Sequence, residues 1–178
     1  VIDNGCGMSA TDARMSFERH ATSKIKEAAD LFRIHTLGFR GEALASIAAI
    51  AQVEVKTRRV EDELGTHLVI ECSVVKSQQP CACPAGTSFL IKNLFFNVPA
   101  RRNFLKSDAA EMRHILEEFQ RVALVNPGIA FSCQSNGKVL FQLPAANLKQ
   151  RIINLMGSGF QEKLLPVNQD SNVVKISG

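Results

Sequence analysis

Apolar residues recur along this chain with two different periods, and the change of period separates predicted helices from predicted strands. Within GEALASIAAIA, Leu44, Ile47, Ala48 and Ala51 fall at i, i+3, i+4 and i+7, the apolar stripe of a helix that packs on one side. After this helix the period becomes two, first around Val53 and then in THLVIECSVV and TSFLIKNLFF. Each of these stretches is predicted to be one strand.

Boundary signals define the remaining elements. The Ser9-x-x-Asp12 pattern resembles a capping box and predicts a helix over about residues 9–20. A long helix is predicted over DAAEMRHILEEFQRVALV, then a hairpin around Asn136-Gly137, then a shorter helix over NLKQRIINLMG and an unfinished strand. Helices and strands alternate without a regular βαβ rhythm. The fold class is therefore predicted to be α/β, a two-layer sandwich of helices on a mixed β-sheet, with one domain over 1–145 and a second beginning at 146–178.

Composition limits the class of protein. The 178 residues are 46% hydrophobic and include no run long enough to span a bilayer, so we expect no membrane partner. Five cysteines, an odd number, predict reduced thiols in a cytoplasmic compartment. Cys81-x-Cys83 could form half of a metal site, but a second cysteine pair or spaced histidines are missing, so two loop cysteines are the favoured interpretation.

The formal net charge is +4, which permits an anionic partner such as DNA without requiring one. The positive side chains gather in two loops, one with Lys24, Lys26, Arg33 and Arg40 and the other with Arg101, Arg102 and Lys106. Solvated protein faces are the usual explanation for such groups, so the charges alone do not predict nucleic-acid binding.

The stretch TLGFRGEALASI has the features of an anion site. Gly38 and Gly41 flank a Phe-Arg pair directly before a helix, so free backbone N–H groups and the positive end of the helix dipole can face a polyphosphate. The upstream hydroxyls of Thr22 and Ser23 and the ammonium of Lys24 can reach the same phosphates from a loop that becomes ordered over a nucleotide. A glycine-containing turn that caps a core helix is the alternative.

The first residues, VIDNGCGM, place Asp3 at the end of an apolar stretch and before Gly5 and Gly7. A carboxylate in this position can accept a hydrogen bond from the exocyclic amine of adenine, while the glycines let the base approach the backbone. Guanine has no amine at that edge, so the contact would select ATP over GTP. A simple turn remains the alternative.

The motifs DNGCGM, RHATSKI, TLGFRGEALASI and GTSFLIKNLFFNVPARRNFLKS, in this order, resemble the ATP-binding motifs of the MutL family of DNA mismatch repair proteins. The resemblance covers essentially the whole chain and implies the GHKL ATP-binding fold, followed by the start of a transducer domain. It implies Asp3, Gly5, Gly7 and Thr87 at adenine, Thr22, Ser23 and Lys24 at ribose and phosphate, and Gly38, Arg40, Gly41, Glu42, Ala43 and Leu44 around the phosphates. For Glu42 a helix cap, and for Arg40 a surface cation, remain open.

The resemblance also implies an activity for the full-length protein. Members of the family couple ATP binding and dimerisation to mismatch-provoked strand removal, with DNA, a mismatch-recognition protein and a second copy as partners. Their catalytic glutamate and Mg²⁺-binding asparagine lie on a helix before the Asp-x-Gly-x-Gly strand, and this chain begins after that helix. We therefore expect a monomer with no catalytic residue or metal ligand and no ATP turnover. The alternative is a nucleotide-gated, non-hydrolysing interaction module of another GHKL protein.

Overall fold

The computed structural model describes residues 1–25, 27–34 and 36–178. Lys26, from the predicted basic loop, and His35 lie outside the described residues. The chain forms two compact units, Val1–Leu105 and Lys106–Gly178. The functional boundary predicted at residue 145 stays a prediction. No helix in the described ranges combines the length and the apolarity needed to cross a bilayer.

The first unit is built on a five-stranded sheet with helices beside it, which confirms the predicted fold class. Among the described residues every neighbouring pair in this sheet is antiparallel, so the mixed sheet that was expected contains no parallel pair there. The strands are β1 Ile2–Asp3, β2 Gln52–Arg58, β3 Gly65–Glu71, β4 Val74–Cys81 and β5 Gly86–Lys92. Their spatial order is β1-β5-β2-β3-β4.

Alternation along β2 and β3 builds the core, because every second side chain faces the same side of a sheet. The helix α2, Ala43–Ile50, packs against this side. The buried core cluster comprises Ala48, Val53, Val55, Leu68 and Ile70.

The helix predicted over residues 9–20 is shorter than expected. It is α1, Ala10–Met15, and Ser9 is confirmed as its N-cap by a 3.1 Å hydrogen bond from the Asp12 N–H to Ser9 Oγ. The Asp12 carboxylate accepts a 2.6 Å hydrogen bond from the Ser9 hydroxyl, so the pair forms a side-chain cap and not the reciprocal backbone bond of a capping box. The polar loop that follows contains a 3₁₀ turn over Ala28–Arg33, which apolar periodicity did not predict. Its first turn is closed by a local hydrogen bond from the Glu27 N–H to the Asp30 carboxylate.

The prediction of one strand over THLVIECSVV is wrong, since the chain reverses within it. Cys72 and Ser73 have φ of 51° and 61° and form the tight turn between β3 and β4. Residues in this left-handed region are usually glycine or asparagine, so the turn carried no recognisable sequence signal.

In the second unit the predicted long helix and hairpin are confirmed. The hairpin turns at Asn136 and Gly137, with φ of 49° and 76°. The final stretch is a hairpin of two short strands rather than one unfinished strand. The short helix α3, Pro99–Arg102, closes the first unit, and the second contains α4 Asp108–Val125, β6 Phe131–Ser135, β7 Lys138–Leu143, α5 Leu148–Met156, a 3₁₀ turn Ser158–Phe160, β8 Asn168–Asp170 and β9 Lys175–Ser177.

A fully buried arginine on α5 organises the second unit. Arg151 Nη2 donates to the carbonyl oxygens of Pro127, Ile129 and Pro144 at 2.9, 2.6 and 3.0 Å. Its guanidinium lies 5.4 Å from the centre of the Phe131 ring. One side chain therefore joins the end of α4, the hairpin β6-β7 and α5.

Candidate functional site

A cavity of about 450 Å³ lies beside the start of α2. It brings together the two loops that the sequence predicted to face each other, the hydroxyl-rich segment after α1 and the glycine-containing segment before α2. Its lining residues are Ser16, Ala21, Thr22, Ser23, Lys24, Leu37, Gly38, Phe39, Arg40, Gly41, Glu42, Ala43 and Leu44. The lining thus contains all the residues predicted for the lid loop, Thr22, Ser23 and Lys24, and for the phosphate loop, Gly38 and residues 40–44.

The contact between these loops depends on Gly41. Its φ is +65°, and a Cβ atom there would lie 2.1 Å from the carbonyl oxygen of Ala21. The His20 N–H donates to the Gly41 carbonyl at 3.1 Å, which ties the two loops together. Gly38 is different, because a Cβ atom there would meet no heavy atom within 4 Å. Of the two glycines, only Gly41 is required by the fold.

The start of α2 supplies hydrogen-bond donors to the cavity. The N–H groups in the first turn of a helix have no acceptor within the helix, and the helix dipole adds partial positive charge. Glu42 is the N-cap residue, but its side chain makes no capping hydrogen bond and instead lies 3.4 Å from His20 Nδ1. The side chains of Lys24 and Arg40 are exposed, and the Arg40 guanidinium lies 5.6 Å from the centre of the Phe39 ring. This edge can receive an anion.

Asp3 has two carboxylate oxygens in different situations. Oδ1 accepts hydrogen bonds from the N–H groups of Gly5 at 2.9 Å and Thr87 at 3.2 Å. Thr87 lies directly opposite Asp3 in the β1–β5 pair. Within the described residues no hydrogen bond to Oδ2 is found, and the side chain is exposed. One oxygen therefore fixes the carboxylate, and the other can accept a hydrogen bond from a ligand.

Three glycines allow backbone segments to pack closely in this part of the first unit. A Cβ atom at Gly7, where φ is +69°, would lie 2.1 Å from the Arg58 carbonyl oxygen. A Cβ atom at Gly86, where φ is +111°, would lie 2.2 Å from the carbonyl oxygen of Asp3. The steric restriction at Gly5 is milder, because a Cβ atom there would lie 3.0 Å from Asp3 Oδ1.

Thr57 on β2 supports this group and was missed by the sequence analysis. Its side chain is fully buried, and its hydroxyl accepts from the Met8 N–H at 2.9 Å. The same hydroxyl hydrogen-bonds the Gly86 carbonyl and the Thr87 hydroxyl, each at 3.1 Å. A threonine in register with the buried valines of β2 was the available signal.

Replacing Thr57 by valine should destabilise the first unit by about 2 kcal/mol, because the Met8 N–H and the Gly86 carbonyl lose a buried partner while volume is conserved. Hydrogen–deuterium exchange of β2 and β5 measures the loss. Thr57→Ser keeps the hydroxyl and serves as the control. Equal protection in the Val and Ser variants would show that the hydroxyl has no structural role.

The residues of the Asp3 group are not part of the cavity lining, so the structure places the predicted site in two parts of the first unit. Arg101 and Arg102 lie exposed on α3, and Lys106 is exposed in the second unit. In the part of the chain that the structure describes, no group of three or more His, Cys, Asp or Glu side chains has the arrangement of a metal site.

Comparisons with known proteins identify similar sequences and similar folds. No family model matches the chain. It is 61% identical over all 178 residues to the DNA mismatch repair protein MutL of Flavobacterium johnsoniae and 59% identical over the same length to that of Bacteroides fragilis. It spans 28% of the length of each.

Solved structures with a similar fold include an Aquifex aeolicus MutL ATPase domain complexed with ADP. That structure has a TM-score of 0.67 and 26% identity, with 87% of this chain and 55% of that chain covered. An N-terminal domain of a DNA repair protein has a TM-score of 0.72 and 27% identity, with 94% of this chain and 50% of that chain covered.

Proposed function

We propose, from the premise that this chain is a segment of the MutL family of DNA mismatch repair proteins, that its first unit binds ATP. The premise rests on about 60% identity over the entire chain to curated members of that family. Nucleotide binding is supported by the similar fold of a MutL ATPase domain that is complexed with ADP. The family identification made from the motifs is confirmed.

The proposal rests on the different environments of the two carboxylate oxygens of Asp3. Oδ1 is held by two backbone N–H groups, so Oδ2 has a fixed direction before any ligand arrives. We assign Oδ2 to the exocyclic amine of adenine and Thr87 to the same pocket. A preorganised acceptor discriminates against guanine, which presents a carbonyl at that position.

The phosphates are assigned to the cavity at the start of α2. Backbone N–H groups, the helix dipole and the cationic side chains of Lys24 and Arg40 provide attraction for a polyphosphate. The Glu42 carboxylate lies 3.4 Å from His20 Nδ1. Thr22, Ser23 and Lys24 line the opposite side and complete the contact from the lid.

For the full-length protein we propose the family activity, ATP hydrolysis with Mg²⁺ coupled to dimerisation and to mismatch-provoked strand removal in the cytoplasm. DNA, with Arg101, Arg102 and Lys106 as candidate contacts, and a mismatch-recognition protein are the proposed partners. The chain spans 28% of the length of the curated relatives named above. A nucleotide-gated module that does not hydrolyse ATP remains the alternative, and ATP turnover by the full-length protein distinguishes the two.

Asp3→Asn tests the proposal. Asparagine can keep its carbonyl oxygen at the Gly5 and Thr87 N–H groups, and it then presents an amide donor where adenine requires an acceptor. Losing a hydrogen bond to a charged group costs about 1.5–3 kcal/mol, so ATP affinity measured by calorimetry should fall about 10- to 100-fold.

Guanine provides the internal control for the same variant. Its carbonyl accepts from the new amide, so GTP affinity should stay constant or rise. Asp12→Asn alters a carboxylate in the cap of α1 and should leave ATP affinity unchanged. An Asp3→Asn protein that is folded and binds ATP like the wild type would remove Asp3 from the pocket.

A further inference from the structure

Two cysteines meet at one glycine where β4 ends. Cys81, the last residue of β4, lies directly opposite Gly65 on β3. The sulfur of Cys83 occupies the space that a side chain at Gly65 would fill, since a Cβ atom there would lie 2.4 Å from Cys83 Sγ. Both cysteines are half-buried, with Ala82 between them. The fold therefore directs both thiols to the same place.

Cys83 is held in this position from a second side. Its carbonyl oxygen accepts a 2.7 Å hydrogen bond from Arg58 Nε, and Arg58 Nη1 also donates to the Asp62 carbonyl at 2.7 Å. Burial and the neighbouring Cys83 side chain raise the pKa of the Cys81 thiol. Side chains of directly opposite residues lie on the same face of a sheet, so the Cys81 side chain and the Cys83 sulfur both lie beside the Cα atom of Gly65.

The spacing of the pair suits a covalent link. Cα atoms two residues apart are separated by at most about 7 Å, and a disulfide requires about 4.4–6.8 Å. A small bend of the chain at Ala82 brings the pair within this range. Across the described residues no third ligand completes a metal site around the two thiols. The arrangement fits a thiol–disulfide pair better than the zinc site considered from the sequence.

We propose that Cys81 and Cys83 form a redox-sensitive dithiol that closes to an intrachain disulfide by exchange with a low-molecular-weight disulfide. The Cys83 thiolate attacks one sulfur of that disulfide and releases the first small thiolate, which takes a proton. The Cys81 thiol then loses its proton to solvent, attacks the Cys83 sulfur and releases the second small thiol. Two protein thiols are oxidised and one disulfide is reduced to two thiols.

Burial helps keep the Cys81 thiol protonated to higher pH than an ordinary cysteine. Because the thiolate is the nucleophile, we assign the first attack to Cys83 and the second to Cys81. Exchange should become faster as the pH rises.

Formation of the Cys81–Cys83 disulfide would affect the residues that follow Cys83 in the chain. Cys83 is three residues before Gly86, whose backbone packs against Asp3, and four before Thr87, which donates to the Asp3 carboxylate. A bend at Ala82 would shift the short segment that joins Cys83 to Gly86 and Thr87. We therefore expect oxidation to weaken ATP binding at least severalfold, and this consequence, unlike the disulfide itself, rests on the proposed function.

Peptide mass analysis tests the disulfide directly. Cleavage after Lys76 and Lys92 yields the peptide SQQPCACPAGTSFLIK, which contains Cys81 and Cys83 and no other cysteine. The folded full-length protein is treated with oxidised glutathione, alkylated and digested with trypsin. We expect this peptide to lose two hydrogens and take up no alkyl group, with full reversal by dithiothreitol. Two alkyl groups or two glutathione adducts on the peptide would overturn the proposal.

Single variants separate the roles of the thiols. Cys81→Ser should leave Cys83 as a stable glutathione adduct, and Cys72→Ser, which alters an exposed cysteine in another peptide, should leave the disulfide intact. Loss of ATP affinity on oxidation should be absent in Cys81→Ser. A disulfide that forms without changing ATP affinity would overturn the coupling, whereas a reduced protein that binds no ATP would count against the proposed function alone.

Discussion

Replacing Arg151 by alanine is expected to lower the free energy of unfolding of the second unit by about 3 kcal/mol. The substitution removes the donor shared by the carbonyl oxygens of Pro127, Ile129 and Pro144. The three hydrogen bonds are partly buried, and a hydrogen bond to a charged group contributes about 1.5–3 kcal/mol. The Pro127 carbonyl also accepts from the Ala146 N–H, so the cost falls mainly on the other two and on the cavity left beside Phe131.

Hydrogen–deuterium exchange of β6, β7 and α5 measures this loss, because the chain contains neither tryptophan nor tyrosine for fluorescence. A loss of about 3 kcal/mol corresponds to about 100-fold faster exchange of the amides that exchange through opening of the unit. Arg151→Lys keeps a cation with three donors and should cost less. Unchanged exchange in Arg151→Ala would show that the three carbonyls find other partners.

Elements with a local chemical cause were predicted from the sequence. The Ser9 and Asp12 cap, the Asn136-Gly137 turn and the α4 helix each depend on residues that are neighbours in the chain. The Cys72-Ser73 turn depends on the pairing of β3 with β4, which imposes a left-handed backbone on residues that do not favour it. Sequence periodicity cannot detect a turn of that kind.

Side chains that act through long-range contacts were missed for the same reason. In the sequence Thr57 resembles any other residue of a buried strand. Its structural role depends on hydrogen bonds with Met8, Gly86 and Thr87, which are distant in sequence. Arg151 reads as a polar residue of an amphipathic helix, although it is fully buried. In both cases a polar residue at a position that the fold buries is the signal, and burial is known only after the elements are assembled.

The candidate site shows both situations. Its two loops were predicted from the sequence because hydroxyls, glycines and cations are concentrated in two short stretches, one after α1 and one before α2. The different roles of the two Asp3 carboxylate oxygens could not be predicted from the sequence. The Thr87 N–H reaches Oδ1 because β1 pairs with β5, and that pairing is known only from the structure. The sequence likewise did not distinguish Gly38 from Gly41, although only one of them touches another loop.

That difference gives the last prediction. Gly41→Ala should weaken ATP binding by about 100-fold, equivalent to about 3 kcal/mol. Alanine at a φ of +65° costs about 1–2 kcal/mol, and its Cβ atom, 2.1 Å from the Ala21 carbonyl oxygen, forces the lid loop away from the phosphate loop. Calorimetry with ATP measures the change, and the result bears on the proposed phosphate site.

Gly38→Ala is the matched control, because it adds the same methyl group to the same loop where no heavy atom lies within 4 Å. Its ATP affinity should stay within about twofold of the wild type, since the surface of the cavity barely changes. Equal losses in the two variants would mean that chain flexibility, rather than the contact at Ala21, governs binding. A Gly41→Ala protein with normal affinity would show that the lid and the phosphate loop need not touch, because the steric overlap would then have been relieved without cost to the nucleotide.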